Sequence, residues 1–197
     1  MAKKNRRKKN TNVRRDYKAR LFEMIFREKE ELLGLYNAVN GTNYSNPDEL
    51  EILYSKMTKD SNLYGSRRIK IPSPRFLIFY NGKETRPERE VLELSDAFEV
   101  KEEESWLNLK AVLLNINPGY NNDIVNACKT LSDYVTYISI VRQYAEQMEI
   151  EDAVEQAITE CIAEGILADF LTRYRNEAKK MSIYEYDEER QRIWNRE

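Results

Sequence analysis

The chain has 197 residues, 41 % hydrophobic and 34 % charged, with a formal charge of −2 and no histidine. This length sustains one domain with an apolar core, and the lack of histidine excludes Ser-His-Asp and Cys-His nucleophiles and every zinc site with an imidazole ligand. The two cysteines cannot build a four-thiolate zinc site within one chain, so any chemistry would fall to carboxylates, lysines, tyrosines or a hard metal such as magnesium.

Residues 1–13 open a basic arm expected to be disordered. Residues 1–20 hold ten Lys/Arg against Asp16 alone, which leaves 22 basic and 33 acidic residues for the rest of the chain. A basic arm on an acidic body suits phosphate contact through Arg6, Arg7, Lys8, Lys9, Arg14 and Arg15, or solubility alone. With no aromatic residue before Tyr17, any such contact with DNA would be blind to sequence. No apolar segment of signal-peptide type follows the arm, and no run approaches the ~18 apolar residues that cross a bilayer. A cytoplasmic protein without membrane contact is the expectation.

From Arg14 to Val39 the stripe Leu21, Ile25, Leu32, Leu35 and Val39 predicts one helix. NGTNYSNP, Asn40 to Pro47, reads as a loop; its two glycosylation sequons carry no weight without a secretion signal. DELEILYSKMTKD, Asp48 to Asp60, predicts an amphipathic helix with Asp48 as its N-cap. RFLIFYNGKE, Arg75 to Glu84, predicts a buried strand closed by an Asn-Gly turn signal. VLELSDAF, Val91 to Phe98, is a short strand or irregular segment. NLKAVLLNINPGYNND, Asn108 to Asp123, predicts a second strong strand stopped at Pro118-Gly119.

The remainder reads as helical. Ile124, Cys128, Leu131, Val135, Ile138 and Ala145 form one stripe; Val154, Ala157, Ile158, Cys161, Ile162 and Ile166 form another. A further helical piece is expected from Thr172 to Tyr184. Cys128 and Cys161 lie on apolar faces, as free buried thiols do, and the tyrosines, Tyr134, Tyr137 and Tyr144 among them, read as packing residues. The fold class is mixed α/β: a small, incomplete sheet of two or three strands covered by helices, with a helix-rich C-terminal half. RFLIFY and KAVLLNI are apolar on both faces, so both read as central strands. Such a chain should be marginal as a monomer, or paired through a sheet edge.

Several blocks together carry a resemblance: RRDYKARLFEMIF at Arg14, LLGLYNAVNGTNY at Leu32, IPSPRFLIFYNG at Ile71, LELSDAF at Leu92, LKAVLLNIN at Leu109 and VEQAITECIAEGILADFL at Val154. Over about Arg14 to Glu189 the chain resembles the recombination-promoting nuclease (Rpn), transposase-like family of bacteria, a branch of the PD-(D/E)XK nucleases. The resemblance implies a mixed α/β core whose catalytic carboxylates sit on a central hairpin and hold magnesium, which activates a water against a DNA phosphodiester. In the family pattern that hairpin falls between the NGTNY loop and the helix ending LYSKMTKD. Here Glu51-Ile52 runs directly into Leu53-Tyr54, so the block holding the hairpin reads as missing. The resemblance thus divides the chain into the arm 1–13, a truncated nuclease-like core 14–122, a helical part of the same domain 123–189 and a tail 190–197.

No substitute carboxylates suggest themselves. Asp96, Glu99 and Lys101 spell D-x-x-E-x-K, but two intervening residues cannot make the required hairpin. Asp48 after Pro47, and Asp123 after Asn122, suit helix starts better than metal. Glu102 to Glu104 reads as a solvated turn. No catalytic or metal residue is therefore assigned, and no cofactor is expected unless the chain is active, which would require magnesium. The leading expectation is a catalytically inactive Rpn relative that binds DNA non-specifically, or binds protein, either a second copy or an intact family member. The alternatives are a magnesium-dependent DNA endonuclease of recombination or transposition, with carboxylates donated by a second chain, and a helical interaction module unrelated to DNA.

Overall fold

The computed structural model describes residues 17–49, 73–100 and 106–194. These form seven α-helices and a three-stranded sheet, so the mixed α/β class with a helix-rich C-terminal half holds. The basic side chains Arg6, Arg7, Lys8, Lys9, Arg14 and Arg15, the Ile52–Leu53 junction and all but the start of the Asp48–Asp60 segment lie outside the described residues.

The first predicted helix is two. Helix α1 spans Tyr17–Ile25 and α2 spans Lys29–Asn40. Phe26, between them, is 6 % exposed and its ring lies 4.6 Å from that of Phe22, so the chain turns to bury an aromatic rather than at a Gly or Pro. Gly41 ends α2 in the left-handed region at φ 63°, where a Cβ would be strained, and its N–H bonds Asn37 O. The Asn37 carboxamide oxygen then accepts from Thr42 Oγ1 and the Tyr44 N–H, which fixes the NGTNY loop against the helix end.

Pro47–Glu49 forms a single 3₁₀ turn. The Asp48 N–H bonds Asn46 Oδ1, and the Asp48 carboxylate pairs with Lys29 at 3.1 Å. The helix that Asp48 is expected to cap lies outside the described residues.

Strands β1 (Phe76–Tyr80), β2 (Arg89–Glu93) and β3 (Lys110–Asn115) form a sheet of order β1-β3-β2. β1 runs parallel to β3 with Ile78 beside Leu113; β2 runs antiparallel to β3 with Val91 beside Val112. The Asn81-Gly82 signal closes β1 as expected, and the next strand joins the far side of β3. One expectation is corrected. Of the two apolar runs, only β3 is central: Ala111, Leu113, Leu114 and Asn115 are buried, whereas Phe76, Leu77 and Ile78 of β1 are 46 %, 37 % and 42 % exposed.

The core is built mainly from the C-terminal helices, with Leu21, Ile25, Phe26 and Leu35 joining it. Helix α3 (Asn122–Ala127) leads into α4 (Lys129–Ala145), which packs on α5 (Ile150–Glu164). Leu131, Tyr134, Tyr137, Ile138 and Val141 of α4 meet a face of α5 made of Ala153, Val154, Ala157, Ile158 and Cys161, with Ala153, Val154, Ala157, Ile158 and Cys161 at 0 % exposure. The two alanines present little side chain, which suits close approach. The expected last helix divides into α6 (Ala168–Arg173) and a much longer α7 (Arg175–Trp194). Ser182 of α7 shares a 2.7 Å hydrogen bond with the Tyr137 hydroxyl inside this core. Glu155 of α5 joins α7 through Arg175 at 2.6 Å and Lys179 at 2.8 Å, and these bonds hold its carboxyl below the usual range. Both cysteines are free and buried, and burial pushes the Cys161 thiol up to about 11.

The sheet joins this core through few side chains. Phe79 stacks on Phe22 of α1 with ring centres 5.2 Å apart, and Ile116, just past β3, is 1 % exposed within the main cluster.

Candidate functional site

Parallel strands in α/β folds deliver their loops to the carboxyl end of the sheet, where ligand sites usually form. Here that end is built from asparagines. Asn81 follows β1; Asn115 closes β3; Asn117 and Asn121 lie in the turn that leads to α3. Asn115 is 1 % exposed and donates Nδ2 to Arg86 O at 3.0 Å, while its Oδ1 accepts from both the Asn117 N–H and Asn117 Nδ2. Asn117 Nδ2 also reaches Gly82 O at 3.0 Å. Arg142 of α4 donates Nη1 to Asn117 Oδ1 at 3.2 Å and Nη2 to Asn81 O, and Asn81 Nδ2 donates to the Tyr134 hydroxyl at 2.7 Å.

Asn121 completes the cluster at a cost. Its backbone is left-handed at φ 42°, uncommon outside glycine though tolerated best by Asn. Its Nδ2 donates to Glu88 O at 2.7 Å and Asn115 O at 2.9 Å, and its N–H donates to Glu88 Oε1 at 2.7 Å. Asn121 is the N-cap position before α3, which opens at Asn122 as expected, and the Asn121 side chain serves the strands instead of capping. Asp123 is exposed in the first turn. Gly82 is required by close approach, since a Cβ there would meet the Tyr80 ring at 2.6–2.8 Å. The polar groups of this end bond one another and the backbone; what they accomplish is to lock two loops and α4 to the strands.

The opposite end is apolar and open. Phe76 lies beside Ala111 at the start of β3, and the Leu94 N–H bonds Leu109 O at 2.9 Å just before it. Around this end Leu94, Leu107 and Trp106 are 39 %, 65 % and 97 % exposed, and Val91 on β2 is 55 % exposed. Exposed large apolar side chains in such number mark a contact surface more often than chance. Its charged member is Glu93, which bonds Lys110 at 2.7 Å and Asn108 at 2.9 Å; these bonds lower its carboxyl from the usual range.

Asp96 lies in a 3₁₀ turn (Leu94–Ala97) and Glu99 just beyond it, both exposed; Lys101 and Glu102 to Glu104 fall outside the described residues. Among the described residues no three His, Cys, Asp or Glu side chains gather as a metal group. The asparagine cluster was not anticipated as a unit. The signal available was the repetition of Asn after each apolar strand, in FYNG and LLNIN, where a polar residue at a strand's buried end needs partners.

No known family model, curated protein or solved structure matches the chain.

Proposed function

We propose that this protein acts by binding and not by catalysis, as a truncated relative of the Rpn-type nucleases. Its apolar sheet surface takes a protein partner, and the arm residues Arg6 to Lys9 with Arg14 and Arg15 touch DNA phosphates without reading sequence. The observation that carries the reading is the exposure of Phe76, Leu77 and Ile78 on a strand that the sequence makes as apolar as a central one. The carboxyl end of the sheet supports it from the other side. Where an enzyme of this architecture would present reactive groups, Asn115, Asn117, Asn121 and Arg142 are spent on one another and on the backbone.

Plasmid nicking by the purified chain, with magnesium or manganese against an EDTA control, tests the non-catalytic part. No cleavage at high protein concentration is expected; metal-dependent cleavage would replace this reading with the endonuclease one and make Asp96 and Glu99 the first positions to mutate. The DNA part is tested by salt. Arm binding should weaken with a slope of about −0.9 per duplex phosphate contacted, and the Arg14→Glu, Arg15→Glu double variant should flatten that slope. A salt-indifferent DNA complex would contradict it.

A further inference from the structure

We propose that β1 is the joint of a homodimer, in which two copies pair their β1 edges antiparallel with Ile78 on the two-fold axis and form one six-stranded sheet. This rests on the binding reading above and names its partner.

The two edges of the sheet differ in how they are protected. Strand β2 carries charge at Arg89, Glu90 and Glu93, with Glu90 bonded to Arg86 and Glu93 to Lys110. Charges of this kind are how natural sheets discourage unwanted pairing at an edge. Strand β1 has none: between Arg75 and Lys83 no residue is charged, and its apolar side chains are exposed on both faces. Leu77 shares a face with Phe79, which packs on Phe22, while Phe76 and Ile78 alternate onto the other face. Among the described residues β1 has a strand on one side alone.

The backbone is set for this pairing. Tyr80 O accepts the Ile116 N–H at 2.8 Å, so Phe76, Ile78 and Tyr80 direct their amides and carbonyls towards β3. The outward groups are then those of Leu77 and Phe79. With Ile78 opposite Ile78, Leu77 of one copy and Phe79 of the other exchange N–H···O=C bonds on either side of the axis, and Ile78 meets Ile78 as a close non-hydrogen-bonded pair.

Self-pairing also has one good register. Side-chain alternation lets the register move only in steps of two residues. Centred on Ile78, it sets Phe76 opposite Tyr80 and Leu77 opposite Phe79, apolar pairs of the kind that stabilise sheets, and Arg75 opposite neutral Asn81. One step in one direction sets Arg75 opposite Lys83, a like-charge pair; one step in the other sets the charged Arg75 opposite apolar Phe79. The two-fold closes the assembly and leaves the charged β2 strands as its edges.

Sedimentation of the full chain across a wide concentration range tests the proposal. The wild type should run as a dimer, Ile78→Lys and Ile78→Glu each as a monomer with unchanged circular dichroism, and their mixture as a dimer again, because Lys then faces Glu across the axis. A monomeric wild type, or Ile78→Lys still dimeric, would overturn it. Should the charged variants fail to fold, Ile78→Cys decides: mild oxidation should cross-link it to a covalent dimer, whereas Val91→Cys on β2 should not cross-link. The native cysteines are 4 % and 0 % exposed and stay out of that reaction. Equal cross-linking at both positions, or none at 78, would overturn the dimer. A monomer leaves the binding reading to its own assay, and plasmid cleavage would remove that reading whatever the oligomeric state.

Discussion

The two ends of this small sheet are made of the same three strands and behave oppositely. At the carboxyl end of β3, buried Asn115 and Asn121 find partners in the backbone of Arg86, Glu88 and β3 itself, and Arg142 ties that end to α4. At its amino end, Trp106 is almost fully exposed, and Leu107, Phe76 and Leu94 are partly exposed. The first end is costly to disturb because a buried polar group that loses its partner keeps the desolvation penalty. The second costs the isolated chain less to disturb where its side chains are most exposed, at Trp106 above all. The first end makes its polar interactions within the chain, and the second leaves apolar side chains exposed.

Substitutions should separate the ends by size of effect. Asn115→Ala removes an acceptor from the Asn117 amide and a donor from Arg86 O in a closed site, and should cost about 1–3 kcal/mol in urea unfolding. Gly82→Ala forces the Tyr80 ring aside; because that ring is held by its hydroxyl on Glu84 O, a loss of about 1 kcal/mol is expected. Trp106→Ala at the open end should change chain stability by less than about 0.5 kcal/mol, the ordinary surface range. A Trp106 effect as large as that of Asn115 would erase the distinction drawn here.

The smallest effect concerns pH. Bonds from Lys110 and Asn108 hold the Glu93 carboxyl below its ordinary value of 4.5. A lowered folded value means that this contribution is complete above 4.5 and fades as pH falls through the folded value. By NMR titration Glu93 should show a midpoint under 4.5 that rises towards it in Lys110→Met. An unchanged midpoint would show that the ion pair does not form in water.

The helical half was the readable part of the sequence. Leu131 and Ile138 of α4, and Val154, Ala157, Ile158 and Cys161 of α5, recur at helical spacing because one face of each helix meets the core. The sheet was readable as strands but not as an order. RFLIFY and KAVLLNI carry the same apolar pattern, and which becomes central is decided by whether β2 joins β3 or β1, a choice made by distant contacts. The break at Phe26 had no Gly or Pro to announce it. Helix α7 was underestimated because RNEAKKMSIYEYDEERQRIW shows little apolar periodicity; among its described side chains Ala178 and Ser182 are buried and Met181 and Ile183 partly so. The asparagine cluster escaped because its members are spread over forty residues and meet only after the strands align. The proposed family resemblance, hairpin loss and phosphate contact by the arm rest on the sequence, since residues 1–16 and 50–72 lie outside the described residues.

The most direct test of the claim that the open edge is a binding surface is amide hydrogen exchange at β1, followed from concentrated to dilute protein. The Leu77 and Phe79 amides should be protected at high concentration and lose protection on dilution, while amides inside α4 and α5 stay protected throughout. If Leu77 and Phe79 exchange rapidly at every concentration, β1 is an edge that nothing covers, and the account is wrong.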